Sequence, residues 1–447
     1  MSRAGCGNFL GRDCPMIPGI FGRLETLRAS PFVRSVGGLL VLTAAGQLVY
    51  LAAAPLLGRL FTPEAFGVYG LFYSFVVTAA IFNTLNYDAA IPAADDDGDA
   101  DGLSYGALQA SIVLSIAFGV GAGAMAHWDL LGFGAMPPWS GGLVTATLLL
   151  QSVMQVQQSW QIRRQTTLAI GQSGLSLNFG RAGVQIATGL AGVGWLGLGL
   201  AEVLGRLAAA IHLSLTPNRW LPRWPVLVLK APTDVLRKYR RFPLVLLPAQ
   251  GTDVVVMFLQ VVGLTSLFGA AGLGQWFLMR RTLDVPVAFA FRSLGDVFYS
   301  RMANLVREEP QNLPRFYVRA FLVLLFCGLL VGAPVMLFGP ALFRLVFGEQ
   351  WSEAGLLAAV TMPSVILNLA VAPASRVFSL TERSGLRYVF TVLHAAGSAA
   401  TILWAHLTDA SLIQTAAGLS AAIAVSYVAY FAAGLAAARR PIVRVKD

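Results

Sequence analysis

The sequence predicts an all-α integral membrane protein of about twelve transmembrane helices, arranged as two six-helix lobes around a central cavity. Three observations predict it. First, 56% of the 447 residues are hydrophobic and only 12% are charged, about half the charge of an ordinary soluble domain. That leaves too much apolar surface for one water-facing shell, so lipid must be the main solvent. Second, the apolar residues form runs of about 20, the length that crosses a hydrocarbon core of about 30 Å. Continuous alternation, the mark of a membrane β-barrel, is absent. Third, the basic residues fall between those runs, mostly in every second gap, which is the positive-inside pattern.

The predicted spans are 36–58, 66–88, 104–126, 138–160, 168–190, 195–214, 243–265, 270–296, 318–338, 354–376, 386–406 and 411–435. Residues 1–31 carry Arg3, Arg12, Arg23 and Arg28 and lack the apolar run of a signal peptide, so they read as a cytoplasmic tail. With the N-terminus inside, the inward segments hold 25 of the 32 Lys and Arg residues, the outward loops hold two (Arg59 and Arg344), and five lie within spans. Both termini are therefore expected in the cytoplasm. The inward loop after span 2 is acidic instead, with Asp95, Asp96, Asp97, Asp99 and Asp101.

Residues 216–241 form a basic linker with Trp220 and Trp224, expected to lie along the inner membrane interface. They separate an N-lobe (32–215, spans 1–6) from a C-lobe (242–436, spans 7–12), and 437–447 form a second cytoplasmic tail. An internal repeat supports the division. Leu60-Phe61 and Gly67-Val68-Tyr69 recur 207 residues later as Leu267-Phe268 and Gly274-Gln275-Trp276. Six spans per half bring both halves into the membrane from the same side. That predicts parallel repeats about an axis along the membrane normal, with a binding site between them near mid-bilayer.

The chemistry-bearing residues argue against catalysis. Four histidines (His127, His212, His394, His406) are scattered, and no nucleophile–base pair appears. Three cysteines (Cys6, Cys14, Cys327) have neither metal-ligand nor disulfide spacing. No phosphate-binding Gly-Lys-Ser/Thr loop occurs, so the chain does not itself drive transport with ATP. No cofactor is expected. Asp97-x-Asp99-x-Asp101-Gly102 resembles the start of a calcium loop, but its twelfth position is Leu108, where a bidentate Glu is needed. A solvated loop is the expected reading. The net charge of +10 does not point to nucleic acid, because the basic residues flank apolar spans and form no continuous basic domain.

Polar residues inside the spans are the candidate site. Span 4 carries Gln151, Gln155 and Gln158 on one helical face, and span 5 carries Asn178, Arg181 and Gln185 on one face. Such stripes face other helices or a wet cavity, either as interhelical glue or as contacts for sugar hydroxyls. Span 8 carries Arg281, Asp284, Arg292 and Asp296 along one line, with Arg280 beside them, and Asp253 stands in the middle of span 7. Pairing one turn apart accounts for Glu202 with Arg206, Arg280 with Asp284 and Arg292 with Asp296. Arg181, Arg281 and Asp253 are left without such a partner. Gln47, Tyr50, Asn83, Asn86 and Tyr87 add polar groups to spans 1 and 2.

Several segments resemble a known family. RLFTPEAFGVYG (59–70) is similar to the signature of the polysaccharide-biosynthesis flippases, the O-antigen and exopolysaccharide branch of the multidrug/oligosaccharidyl-lipid/polysaccharide exporter superfamily. NYDAAIP (86–92), RRFPLVLLPA (240–249), FGAAGLGQW (268–276), RRTLDVPVAF (280–289), DVFYSRMA (296–303) and LFRLVFGEQWSEAG (342–355) follow the same pattern in order. The resemblance implies a transporter of the bacterial inner membrane that moves an undecaprenyl-pyrophosphate-linked oligosaccharide between leaflets by alternating access. It implies a pathway polymerase and chain-length regulator as partners. In that setting Arg181 and Arg281, with Arg206, Arg280 and Arg292, are candidates for the pyrophosphate. Gln151, Gln155, Gln158, Asn178 and Gln185 are candidates for the sugars. Asp253, Asp284 and Glu202 are candidates for a counter-charge or for a coupling H⁺ or Na⁺. The rival readings are a multidrug or cation antiporter of the same superfamily, a membrane polymerase or ligase acting on the same glycans, and a scaffold of the assembly machinery. Intramembrane arginine argues against the first, and short outward loops argue against the second.

Overall fold

The computed structural model describes residues 31–217, 219–221, 233–371, 377–378 and 385–439, with side chains from Gly37 onward except at 248–249, 252–253, 285–297, 299–300, 307 and 385–388. Among the described residues every regular element is helical. The first half contributes α1 (Pro31–Leu60), α2 (Pro63–Asn83), α3 (Asp97–His127), α4 (Ser140–Arg163), α5 (Thr167–Leu190) and α6 (Trp195–Ser214). A short α7 (Thr233–Lys238) lies in the linker. The second half contributes α8 (Leu247–Glu308), α9 (Leu313–Phe347), α10 (Ser352–Val371), α11 (Gly385–Thr408) and α12 (Leu412–Arg439).

Helix α8 covers two predicted spans. Gly269 adopts φ 66° and ψ −171° inside it, a conformation a side chain would resist. Gly251 packs beside Phe82 near the far end of α2. Ala270 meets Gly67 near the start of α2, and Phe277 meets Tyr73 further down again. The chain therefore reverses at Gly269, giving six membrane segments in each half. Nine helices among the described residues are long and apolar enough to cross a membrane by composition. That count takes α8 once and omits α4 and α5. The omitted pair are the helices with the amide and arginine stripes, which dilute their apolar character. The sequence predicts them as spans, and they pack as members of the first lobe.

Local signals explain the ends. Thr62 caps α2 by accepting from the Ala65 amide at 3.3 Å, and Pro63 occupies its first turn. Asp96 caps α3 by accepting from the Asp99 amide at 2.7 Å.

The lobes meet tightly at one end. Gly67 lies against the Ala270 carbonyl, and Gly274 lies against the Pro63 carbonyl, so closely that a Cβ at either glycine would overlap that oxygen. The two contacts exchange under the 207-residue offset of the repeat, as a two-fold relation between the halves requires. Gly70 packs on Phe277, its own counterpart under the same offset. Around this crossing Gln350 donates to the carbonyls of Gly58 (2.8 Å) and Phe61 (3.2 Å). The Trp351 indole donates to Gly58 (2.6 Å), and Gln275 donates to the Gln350 carbonyl (2.8 Å). Three of the family-like motifs, 59–70, 268–276 and 342–355, thus assemble into one interlobe junction.

The acidic loop is not simply solvated. Lys238 bridges Asp95 (2.7 Å) and Asp99 (2.6 Å), Trp220 donates to Asp101 (2.7 Å), and Arg163 pairs with Asp97 (2.8 Å). Hydrogen bonds to Asp95 and Asp99 hold the Lys238 ammonium above its ordinary range. Trp220 is buried and stacks parallel to Trp160 at 6.3 Å. The described part of the basic linker therefore docks on the acidic end of the first lobe. Among the described residues no cluster of His, Cys, Asp and Glu could hold a metal ion.

Candidate functional site

A cavity of about 850 Å³ opens between the lobes on the far side of the junction. Helix α1 supplies Gln47 and Tyr50, α2 supplies Tyr73 and Ser74, and α5 supplies Asn178 and Arg181. Helix α8 supplies Gln260 from its first span and Trp276, Arg280, Arg281 and Asp284 from its second. The cavity reaches the exterior beside Leu40 and Val41, which are 59% and 67% exposed.

Each arginine has different company. Arg206 donates to Glu202 Oε2 one turn earlier, and its Nε donates to Gln151 Oε1 at 2.8 Å. Arg181 has no carboxylate one turn away on its own helix, as the sequence indicates. Its partner comes from across the helix interface, where its Nε lies 3.0 Å from Glu202 Oε1 on α6. The N–H is not aimed at that oxygen, so the contact is an ion pair rather than a hydrogen bond. Tyr69 donates to the same Oε1 at 2.6 Å. Glu202 is fully buried, and both of its oxygens are in use.

The pairing of Arg280 with Asp284 is present at 3.3 Å, with both side chains partly exposed to the cavity. Arg281 is different. All three of its guanidinium nitrogens are shielded from solvent, and none has a hydrogen-bond partner among the described residues. Its guanidinium carbon sits 3.8 Å from the centroid of the Tyr50 ring, and that of Arg181 sits 5.0 Å from the same centroid. Among the described residues four arginines, Arg181, Arg206, Arg280 and Arg281, stand here against two carboxylates, Glu202 and Asp284, an excess of positive charge.

The other candidates divide. Asn178 lines the cavity and donates to the Gly174 carbonyl at 3.0 Å. Gln151, Gln155, Gln158 and Gln185 are not among the cavity-lining residues. Gln151 serves Arg206, Gln158 is half-buried, and Gln155 Oε1 is buried without a partner among the described residues. Gln185 is fully buried with both amide atoms in that condition. The side chains of Asp253 and Arg292 lie outside the described residues. Asn83 is structural, donating to Ser115 and Ser152 inside the first lobe. Gln260 and Trp276 line the cavity without having been singled out for a site. A lone amide and an indole in apolar spans gave no pattern to find.

This geometry defines a class first: a multi-pass membrane protein with two six-helix lobes around a cationic cavity. Solved structures share that fold. One is described as the lipid II flippase MurJ in an inward closed conformation, with TM-score 0.64 and 10% identity over 88% of this chain and 86% of that one. Another is a multidrug resistance MATE family transporter of the MOP superfamily in an inward-facing conformation, with TM-score 0.59 and 15% identity over 88% and 95%. A third is a MOP superfamily transporter from Pyrococcus furiosus whose description notes a reversed polarity of the binding pocket, with TM-score 0.53 and 16% identity over 92% and 96%. No curated protein matches the sequence. The family described as "Polysaccharide biosynthesis protein" matches residues 56–355, and the chain belongs to that family. The solved structures that share the fold are described as two transporters and a flippase.

Proposed function

We propose that the chain is a flippase of the bacterial inner membrane. It carries an undecaprenyl-pyrophosphate-linked oligosaccharide repeat unit from the cytoplasmic to the periplasmic leaflet, for O-antigen or exopolysaccharide synthesis. Arg281 is the observation that carries this reading. Arg281 has no hydrogen-bond acceptor among the described residues, and desolvating such a guanidinium is costly, which favours an incoming anion at this place. Guanidinium binds phosphate oxygens in bidentate fashion. A cationic drug would meet repulsion at the same place.

In this reading the junction of residues 58–70 with 342–355 is the periplasmic seal, both termini are cytoplasmic, and the head group enters the cavity from the inner side. The lipid tail stays in the bilayer, and Asn178, Gln47 and Gln260 offer amides to the sugars. Both Glu202 oxygens are held, so any coupling H⁺ or Na⁺ falls to Asp284 or Asp253. A polymerase and a chain-length regulator would act on the product.

The test is depletion of the protein in cells that make the glycan, followed by locating the lipid-linked repeat unit with a membrane-impermeant probe. Accumulation on the inner leaflet is expected. Continued delivery to the outer leaflet would overturn the proposal.

A further inference from the structure

One ring lies under the guanidiniums of both lobes. Tyr50 belongs to α1, Arg181 to α5 of the same lobe, and Arg281 to α8 of the other. Their guanidinium carbons lie 5.0 and 3.8 Å from its centroid. Two cations that share one ring in an apolar-walled cavity repel one another, and nothing in the sequence spacing brings them to it. The ring face is electron-rich and attracts both. Tyr50 is only 9% exposed, so the face is kept from water, where such contacts are strongest.

The two arginines are also anchored unequally. Arg181 is tethered through Nε to Glu202, whereas Arg281 has the ring and no hydrogen bond among the described residues. Through the Tyr50 ring the Arg281 guanidinium makes contact across the lobe boundary. One phosphate group can engage one guanidinium fork, while two forks near each other suit two linked phosphates.

We propose that Tyr50 is a positioning residue, whose ring holds Arg181 and Arg281 together as a two-pronged clamp for a single diphosphate. The inference rests on the flippase reading of the cavity and deepens it. Tyr50 sets the preference for a diphosphate over a monophosphate head group, and its hydroxyl is dispensable.

The experiment uses the purified full-length chain in nanodiscs, with inorganic pyrophosphate and inorganic phosphate as probes, read by isothermal titration calorimetry. The wild-type protein binds pyrophosphate more tightly than phosphate. Tyr50→Phe, which keeps the ring, retains that ratio. Tyr50→Leu and Tyr50→Gln weaken pyrophosphate binding about tenfold and bring the ratio towards one. Phosphate binding changes little, a split that general misfolding would not produce. The two replacements differ in polarity, so one folded variant is enough. Pyrophosphate selectivity equal to wild type in either one overturns the role of Tyr50 while leaving the flippase reading intact. Absence of pyrophosphate binding to the wild-type protein overturns both.

Discussion

The buried charge of the first lobe and that of the second are handled in opposite ways. In the first, Glu202 sits between Arg181 and Arg206, with Tyr69 on one oxygen and Gln151 on Arg206. Every member of that network is supplied by α2, α4, α5 or α6. In the second, Arg281 has no hydrogen-bond acceptor among the described residues and leans on a ring from the opposite lobe. Arg206 is hydrogen-bonded within its own lobe, Arg181 is ion-paired there while also facing the cavity, and Arg281 is open among the described residues. Presence of an intramembrane arginine is therefore weak evidence of a site, and the state of its hydrogen bonds is stronger evidence.

The largest effect is expected at Glu202. Glu202→Gln leaves two buried guanidiniums with no carboxylate, and breaking such a network typically costs about 3–5 kcal/mol. A large fall in the thermal unfolding midpoint of the purified protein is expected. An unchanged midpoint would mean that the first lobe's arginines are as open as Arg281. Next in size is Arg281→Ala. It should weaken head-group binding by about 30-fold or more and abolish glycan export at normal protein levels, with no loss of thermal stability. Arg281→Lys keeps the charge but not the fork and should export at an intermediate rate. A destabilised alanine variant that still exports would reverse the assignment. The smallest effect belongs to a third kind of charge, the exposed bridge of Lys238 with Asp95 and Asp99. Salt screens such pairs. Lys238→Ala should leave the unfolding midpoint and export unchanged at physiological salt, while limited proteolysis within 216–241 becomes faster.

Much of this architecture was legible because membranes impose a simple ruler. The sixth predicted span, 195–214, coincides with α6, and α5 begins one residue from its predicted start. Spans 7 and 8 were expected as separate helices, and the single-residue turn at Gly269 joins them with no loop to mark it. Pairings one turn apart were also legible, because helix geometry alone fixes them: Arg206 with Glu202 and Arg280 with Asp284. The link from Arg181 to Glu202 was not, because it depends on how α5 faces α6. A charge count over the two helices, two arginines against one glutamate, was the available signal. Tyr50 was visible only as a polar residue in span 1, since an aromatic's partners across a lobe boundary leave no periodic trace. The acidic loop's role depended on a docking contact from residues more than a hundred positions away, Trp220 and Lys238.

The glycine crossing at the junction is self-complementary. Gly67 needs a carbonyl at position 270, and Gly274 needs one at position 63. Subtracting the repeat offset turns each requirement into the other. A half-length chain bearing one copy of this surface would present both the notch and the oxygen that fills it, and would therefore fit a second copy of itself. The seam between the lobes therefore has the form of a homodimer interface, while the arginines break the symmetry: the repeat offset matches Arg281 with Ser74 and Arg181 with Tyr388.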